Sequence, residues 1–192
     1  MITTFIGPMF SNKSQKLIDI YNSIYNKKTI FTFKPNIDKR DMMYIKSRNN
    51  DFEIYSFIVD SFIVDYFDEI EHIVHNSKDF CGNIILIDEA QFLKGSCTPL
   101  LNLSLIENYN IYISGLNLTT ELKPFGVMPE ILSISDVIIK CHSTCYYCGK
   151  EADYTKCLVE KSKDILIGDK EYIPICKDCL RKEVISNGKN NN

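Results

Sequence analysis

The chain has 192 residues, 45% of them hydrophobic, and a formal net charge of −3 with a pI near 5.7. This length holds one full domain, or one domain and a small appendage, with enough apolar residues for a core. The acidic balance argues against a nucleic-acid partner, because duplex-binding proteins carry a basic surface. The first residues do not resemble a signal peptide, and no stretch reaches the roughly 18 apolar residues of a membrane span. Eight cysteines without a secretion signal favour a reducing, cytoplasmic environment with no membrane partner.

Short apolar runs predict buried strands, and apolar residues at helical spacing predict helices. The predicted strands are 2–6, 29–33, 83–87 and 110–114. The predicted helices are 14–25 and 61–75, and 34–52 is expected to be a mobile loop. Fully apolar strands that alternate with helices indicate an α/β fold whose parallel sheet is flanked by helices, which we place at 1–140. Closely spaced cysteines predict a second, small domain at 141–182, and the polar end of the chain predicts a disordered tail at 183–192.

Residues 7–14, with the sequence GPMFSNKS, follow a predicted strand and open a predicted helix. A phosphate-binding loop needs converging backbone N–H groups, a lysine for the β- and γ-phosphates, and a hydroxyl for Mg²⁺. Lys13 and Ser14 supply the last two. Asn12 stands where the strict pattern has glycine, but asparagine tolerates a left-handed backbone better than most residues. The alternative is an ordinary strand–turn–helix junction with an exposed lysine.

Asp88 and Glu89 directly follow the apolar strand at 83–87. In a P-loop enzyme, one acid at this position holds Mg²⁺ through water, and its neighbour can take a proton from the acceptor. Acids at a strand end can also be solvated, or cap the next helix. The phosphate loop earlier in the chain favours the enzymatic interpretation, since ligands of parallel sheets bind at the carboxyl ends of the strands.

The chain contains two C-x₂-C pairs, which are Cys145 with Cys148 and Cys176 with Cys179. Four thiolates in this arrangement favour a closed, structural Zn²⁺ site of the zinc-ribbon type. The 27 residues between the pairs exceed the usual spacing of about 15–20, so the chain between them must form an extended excursion. Unrelated free thiols are the alternative, and the nearby Cys141 or His142 could replace a ligand.

Taken in order, these motifs resemble those of the cytosolic-type (type II) thymidine kinases. The matching segments are GPMFSNKS at 7–14, DKR at 38–40, DEAQF at 88–92, GLNLTTELKPFG at 115–126, CYYC at 145–148, YTK at 154–156, DILIG at 164–168 and YIPICKDC at 172–179. The resemblance covers nearly the whole chain. It implies a homotetrameric kinase that transfers the γ-phosphate of ATP to the 5′-hydroxyl of thymidine, uses Mg²⁺ and structural Zn²⁺, and is inhibited by thymidine triphosphate.

The resemblance also implies roles for individual residues, with Glu89 as the catalytic base. The residues implied to bind ATP are Gly7, Pro8, Met9, Phe10, Ser11, Asn12, Lys13, Ser14, Asp38, Lys39, Arg40, Asp88 and Gln91. The residues implied to bind the nucleoside are Met9, Glu89, Phe92, Leu116, Thr120, Phe125, Thr155, Asp164, Ile165, Leu166, Ile167, Gly168 and Tyr172. Ser14 and Asp88 would hold Mg²⁺. Residues 164–168 would form a lasso over the base, and Tyr172 would close the pocket.

The chain departs from the family pattern at four positions. Besides Asn12, these are Asn117 in place of the usual aspartate, Thr120 in place of a phenylalanine, and Cys157 in place of an arginine. Thr120 leaves open a kinase of the same fold for another deoxynucleoside, such as deoxyuridine. A second alternative is a binding module with a degenerate phosphate loop, whose zinc ribbon contacts nucleic acid or protein. The acidic balance and the intact phosphate-loop and strand-end residues argue against it.

Overall fold

A computed structural model describes residues 1–24, 30–37, 44–45, 59–60, 62–77, 82–159 and 170–189. The predictions for 38–40 and 164–168 lie outside these residues. Within the described part of the chain, no helix combines the length and apolar character needed to span a membrane.

The fold consists of twelve described strands and five described α-helices. In chain order the strands are β1 (Ile2–Ile6), β2 (Ile30–Pro35), β3 (Tyr44–Ile45), β4 (Val59–Asp60), β5 (Phe62–Val64), β6 (Ile84–Ile87), β7 (Asn110–Gly115), β8 (Val137–Lys140), β9 (Ser143–Thr144), β10 (Glu151–Ala152), β11 (Tyr154–Cys157) and β12 (Tyr172–Ile175). The helices are α1 (Lys13–Ser23), α2 (Phe67–Asn76), α3 (Thr98–Leu105), α4 (Met128–Ile134) and α5 (Lys177–Lys189).

Six strands form one parallel sheet in the order β5-β2-β6-β7-β1-β8. Ile85 and Ile87 pack in a cluster with α2, α3 and α4, whereas Leu86 packs in a second cluster with Leu17 and Ile18 of α1. Successive side chains of a strand point to opposite faces, so these two clusters are the two covered faces of the sheet. The predicted α/β fold with a parallel sheet flanked by helices is confirmed.

The predicted helix at 61–75 is wrong in its first part. Residues 62–64 form β5, which pairs in parallel with β2, and the helix α2 begins only at Phe67. The carboxylate of Glu69 accepts the backbone N–H of Tyr66 at 3.5 Å, which is one half of a capping box at this helix start, and it also accepts the N–H of Asp65 at 2.8 Å. Ile63 matches the helical period of α2, but it lies on a strand because pairing with β2 outweighs local periodicity.

Four of the described residues in the segment 34–52 lie on strands, where a loop was predicted. The strand β2 continues through Lys34 and Pro35, and residues 44–45 pair antiparallel with residues 59–60. At the other end of the chain, α5 continues to Lys189, so 183–189 are helical where a disordered tail was expected. Residues 190–192 lie outside the described part.

The sheet places four loops along one edge, because the carboxyl ends of parallel strands point the same way. The loops that follow β1, β6 and β7 begin at Gly7, Asp88 and Leu116, and the chain leaves β8 at Cys141. After β8 come two antiparallel pairs, β9 with β10 and β11 with β12, and then α5. The division into domains at 140 and 182 stays a prediction.

Candidate active site

The loop after β1 contains two residues other than glycine with a left-handed backbone. Asn12 has φ 61° and ψ 25° and begins α1, and Phe10 has φ 62°. The carbonyl of Asn12 accepts the backbone N–H of Lys16 at 3.2 Å, which starts the helical hydrogen bonding. The sequence argument that asparagine can adopt the backbone of the missing glycine therefore matches the conformation of this loop.

Gly7 lies where the phosphate loop touches the end of β8. Its φ is 152°, and a Cβ atom there would lie 2.2 Å from the carbonyl oxygen of Cys141. The backbone N–H of Cys141 donates to the carbonyl of Ile6 at 2.6 Å, so this contact is anchored by the sheet. Only glycine fits such a close approach of two backbone segments.

Lys13 is buried inside the same loop. Its Nζ donates to the carbonyl of Pro8 at 2.6 Å and to Ser11 Oγ at 3.2 Å. Burial lowers the pKa of the Lys13 ammonium, and the nearby carboxylates of Glu89 and Asp88 act in the opposite direction. The loop therefore holds a cation beside two acids, and a phosphate chain carries the charge that such a buried cation favours.

Asp88 joins the phosphate loop to the neighbouring strands. Its Oδ1 accepts the hydroxyl of Ser14 at 3.0 Å and also the hydroxyl of Ser114. Its backbone N–H donates to the carbonyl of Phe33 at 3.0 Å, which continues the ladder between β2 and β6. A carboxylate oxygen next to a hydroxyl is a donor set that suits Mg²⁺, so Ser14 and Asp88 fit this ion.

Ser114 is a site residue that the sequence analysis missed. It is 1% exposed and is the penultimate residue of β7, next to β6 in the sheet. A polar residue at the carboxyl end of an apolar strand was the available signal. Its contact with Asp88 requires β7 to lie beside β6, and this order is not evident from the linear sequence.

Glu89 is half-buried and has a left-handed backbone, with φ 52° and ψ 38°. Its carbonyl accepts the N–H of Phe92 at 3.1 Å, which starts a 3₁₀-helix over Ala90–Phe92. Its Oε2 accepts Gln91 Nε2 at 2.5 Å, and Gln91 Oε1 accepts the N–H of Leu116 at 3.0 Å. A left-handed backbone costs an L-residue other than glycine roughly 1–2 kcal/mol, and such strain is concentrated at functional sites.

Four of the predicted nucleoside-binding residues lie on the 3₁₀-helix after Glu89 or on the loop after β7. The rings of Phe92 and Phe125 meet edge to face with centroids 5.3 Å apart. The loop that carries Leu116, Thr120 and Phe125 is closed by a bond from the N–H of Phe125 to the carbonyl of Asn117 at 3.1 Å. All these side chains are partly exposed, as residues that line a pocket would be.

The strand β11 reaches the phosphate loop directly. The backbone N–H of Met9 donates to Thr155 Oγ1 at 2.9 Å. Tyr172 lies on the partner strand β12, opposite Cys157. The structure therefore connects Thr155 to the phosphate loop and places Tyr172 on the neighbouring strand. The predicted residues Asp38–Arg40 and Asp164–Gly168 lie outside the described part.

The two C-x₂-C pairs come together as predicted. The sulfur atoms of Cys145, Cys148, Cys176 and Cys179 all lie within 4.8 Å of one another, and the Sγ atoms of Cys148 and Cys176 are 3.6 Å apart. Tetrahedral Zn–S bonds of about 2.3 Å place thiolates about 3.8 Å apart, so the four residues fit Zn²⁺. Burial acts to raise the pKa of Cys145, but hydrogen bonds from the backbone of the cluster outweigh it and lower the pKa to about 6. In the same cluster, hydrogen bonds with the sulfur atoms of Cys148 and Cys176 raise the pKa of Cys179 to about 12. The thiolate is the form that binds metal.

The two alternative ligands have other partners. Cys141 packs in the core cluster that contains Leu17 of α1, and its carbonyl lies against Gly7. His142 Nδ1 lies 2.7 Å from Asp153 Oδ1, a carboxylate that also accepts Lys140 Nζ at 2.8 Å. Both residues therefore belong to the junction between β8 and the cysteine-containing part of the chain.

Comparison with known proteins gives one consistent result. A family model described as thymidine kinase matches residues 1–180. Similar proteins include a thymidine kinase of Mycoplasma genitalium, 35% identical over 176 residues that cover 89% of this chain and 78% of that protein. Another, from Pseudothermotoga lettingae, is 30% identical over 191 residues, or 97% of each chain. A third, from the Aster yellows witches'-broom phytoplasma, is 33% identical over 188 residues that cover 89% of this chain and 81% of that protein.

Proposed function

The chain belongs to the thymidine kinase family, and we propose that it transfers the γ-phosphate of ATP to the 5′-hydroxyl of thymidine at the carboxyl edge of β1 and β6. The assignment of this activity to particular residues rests on the hydrogen bond of 3.0 Å that the Ser14 hydroxyl donates to Asp88 Oδ1. It joins the phosphate loop to the acidic strand end, and this pairing of a loop hydroxyl with a strand-end carboxylate is the arrangement of a P-loop phosphotransferase.

ATP is bound through the loop at 7–14. Its backbone N–H groups and the ammonium of Lys13 face the β- and γ-phosphates, and the resemblance implies that Asp38, Lys39 and Arg40 also bind ATP. Ser14 and Asp88 hold Mg²⁺, which neutralises charge on the phosphates when it is bound. Support comes from the burial of Lys13 and from the oxygen pair of Ser14 and Asp88.

Glu89 is the general base. Its carboxylate takes the proton of the 5′-hydroxyl while that oxygen forms a bond to the γ-phosphorus. The bond between the γ-phosphorus and the bridging oxygen breaks, and ADP leaves. Support comes from the position of Glu89 directly after Asp88, at the same strand end. This places the base within one residue of the acid that faces the metal.

The nucleoside lies between the loop at 115–126 and β11. Phe92, Leu116, Thr120 and Phe125 border it on one side, and Met9 and Thr155 border it on the other. The resemblance assigns residues 164–168 and Tyr172 to the cover of the base, and the four cysteines would hold Zn²⁺ at both ends of the stretch that contains them. The edge-to-face pair of Phe92 and Phe125 supports an aromatic wall.

The protein acts in the cytoplasm as a homotetramer. Assembly is supported by β8, which forms one end of the sheet and exposes Val137, Ile138 and Ile139 by 40%, 49% and 38%. Thymidine triphosphate inhibits the enzyme. It combines the base of the substrate with phosphates that the loop binds, and this chemistry supports end-product inhibition.

Steady-state phosphorylation of thymidine, deoxyuridine and other nucleosides by ATP tests the activity and its range. Glu89→Gln is expected to lower kcat by roughly 10²-fold or more, with little change in ATP and thymidine binding, because it removes the proton acceptor. Asp88→Asn serves as the matched change at the metal-facing acid. If Glu89→Gln kept the wild-type kcat while Asp88→Asn abolished turnover, the division of roles would be wrong.

A further inference from the structure

The amide of Gln91 is buried between the catalytic strand end and the loop at 115–126. The side chain is 2% exposed and sits in the 3₁₀-helix Ala90–Phe92. A buried amide is costly unless its polar atoms are hydrogen-bonded. The Gln91 amide has two hydrogen-bond partners. Its Oε1 lies 3.0 Å from the backbone nitrogen of Leu116, and its Nε2 lies 2.5 Å from Glu89 Oε2.

The chemistry of these partners determines which way the amide points. A backbone N–H can only donate, so Oε1 of Gln91 must face Leu116. Nε2 must then face Glu89, where it donates to a carboxylate oxygen. These two hydrogen bonds therefore determine which atom of the Gln91 amide is the oxygen and which is the nitrogen.

Two glycines leave the space that Gln91 occupies. A Cβ atom at Gly126 would lie 2.1 Å from the carbonyl oxygen of Gln91. A Cβ atom at Gly115 would lie 3.0 Å from Oε1 of Gln91 and 2.6 Å from the sulfur of Met128. Backbone and side chain of Gln91 therefore fill a slot that only glycines leave open, and this packing restricts the side chain to few rotamers.

We propose that Gln91 is a positioning residue that holds Glu89 Oε2 and thereby orients the Glu89 carboxylate for the 5′-hydroxyl of the nucleoside. This inference rests on the proposed function, because it assigns a partner to the proposed base. A general base must lie within hydrogen-bond reach of the proton that it removes. A carboxylate on a flexible side chain meets this requirement only when a neighbouring group fixes its orientation.

Gln91→Met tests the proposal, since methionine has a similar length but neither donates like an amide nor accepts the N–H of Leu116 well. We expect kcat to fall about 10- to 100-fold, the range expected for a misplaced reacting group, with the KM values for ATP and thymidine changed less than about threefold. A rise in the KM for ATP as large as the fall in kcat would overturn the proposal in favour of the ATP-binding role that the resemblance implies for Gln91. In a Glu89→Gln background the same substitution should add less than about a twofold loss, because Gln91 acts through Glu89. Ile131→Val in the nearby core is the matched control, and it should leave kcat unchanged.

Gln91→Glu is the second variant, in case Gln91→Met does not fold. It keeps the length and the acceptor for Leu116 but replaces the donor with a carboxyl group, so we again expect a lower kcat. A wild-type kcat in either folded variant would overturn the proposal, as would equal losses in the wild-type and Glu89→Gln backgrounds. Failure of the wild-type protein to phosphorylate thymidine would instead remove the proposed function, and the inference with it.

Discussion

The conformation of Asn12 predicts how three substitutions at one position should behave. Asn12 is exposed, has φ 61°, and makes no capping hydrogen bond from its side chain to any described residue. Asn12→Gly therefore removes no hydrogen bond of the cap, and it relieves the cost of a left-handed backbone, which is lower for asparagine than for other L-residues. Glycine has a larger conformational entropy in the unfolded chain, which lowers the free energy of unfolding by about 0.4–1 kcal/mol and offsets this gain. The net change in unfolding free energy should lie near zero.

Asn12→Ala keeps the Cβ atom but lacks the tolerance of asparagine for this backbone. We expect a loss of about 1 kcal/mol, the lower end of the left-handed penalty. If ATP requires the loop in this conformation, ATP binding should weaken by up to about fivefold, the factor that corresponds to 1 kcal/mol. Asn12→Val should be at least as harmful, because branching at Cβ disfavours positive φ further.

Thermal unfolding and calorimetric titration with ATP measure both effects. Asn22→Ala is the matched control, because it makes the same change at an exposed position inside α1, where the backbone is right-handed. It should leave ATP binding unchanged. The reasoning fails if Asn12→Ala binds ATP as tightly as the wild-type protein, or if Asn12→Gly weakens binding tenfold.

Three further changes test the contacts of the loop and of the zinc site. Lys13→Ala should lower thymidine phosphorylation by about 10²-fold or more, since it removes the buried cation that faces the phosphates, and a normal steady-state rate would refute the P-loop assignment. Metal analysis should find about one zinc per chain. Cys145→Ser should raise the thymidine KM or unfold the C-terminal part of the chain, while ATP still binds. Metal-free protein whose affinity for thymidine is unchanged would contradict this. Thr155→Val removes the acceptor of the Met9 N–H, worth about 1 kcal/mol, and should weaken ATP binding about fivefold by titration. Thr155→Ser keeps the hydroxyl and should bind ATP normally, so equal losses in both variants would argue against the hydrogen bond.

The strands that carry the site could be predicted because they are buried on both faces. The apolar run of β6 ends at Asp88 in the sequence and in the structure, and the phosphate loop follows β1 as expected. Lys13 and Ser14 were therefore identified from the phosphate-loop pattern after β1, and Asp88 from the end of β6. The cysteine spacing was equally informative, because four thiolates in two pairs have few uses other than metal binding in a reducing environment.

What the sequence did not reveal depends on the order of strands in space. Ser114 reaches Asp88 only because β7 lies beside β6, and Gln91 reaches Leu116 for the same reason. The strand β5 was mistaken for the start of a helix because Ile63 fits the helical period of α2. Its pairing with β2 is a tertiary interaction that local patterns do not encode.

The contact between Gly7 and Cys141 restricts how this chain can be shortened. A fragment that ends at Lys140 would keep all six strands of the sheet, yet it would lack the carbonyl that lies against Gly7 and the N–H that bonds Ile6. The loop after β1 would then lose two backbone contacts beside Gly7. Isolating an ATP-binding core by proteolysis or by truncation therefore requires a cut beyond Cys141, within the part of the chain that leads to the zinc ligands.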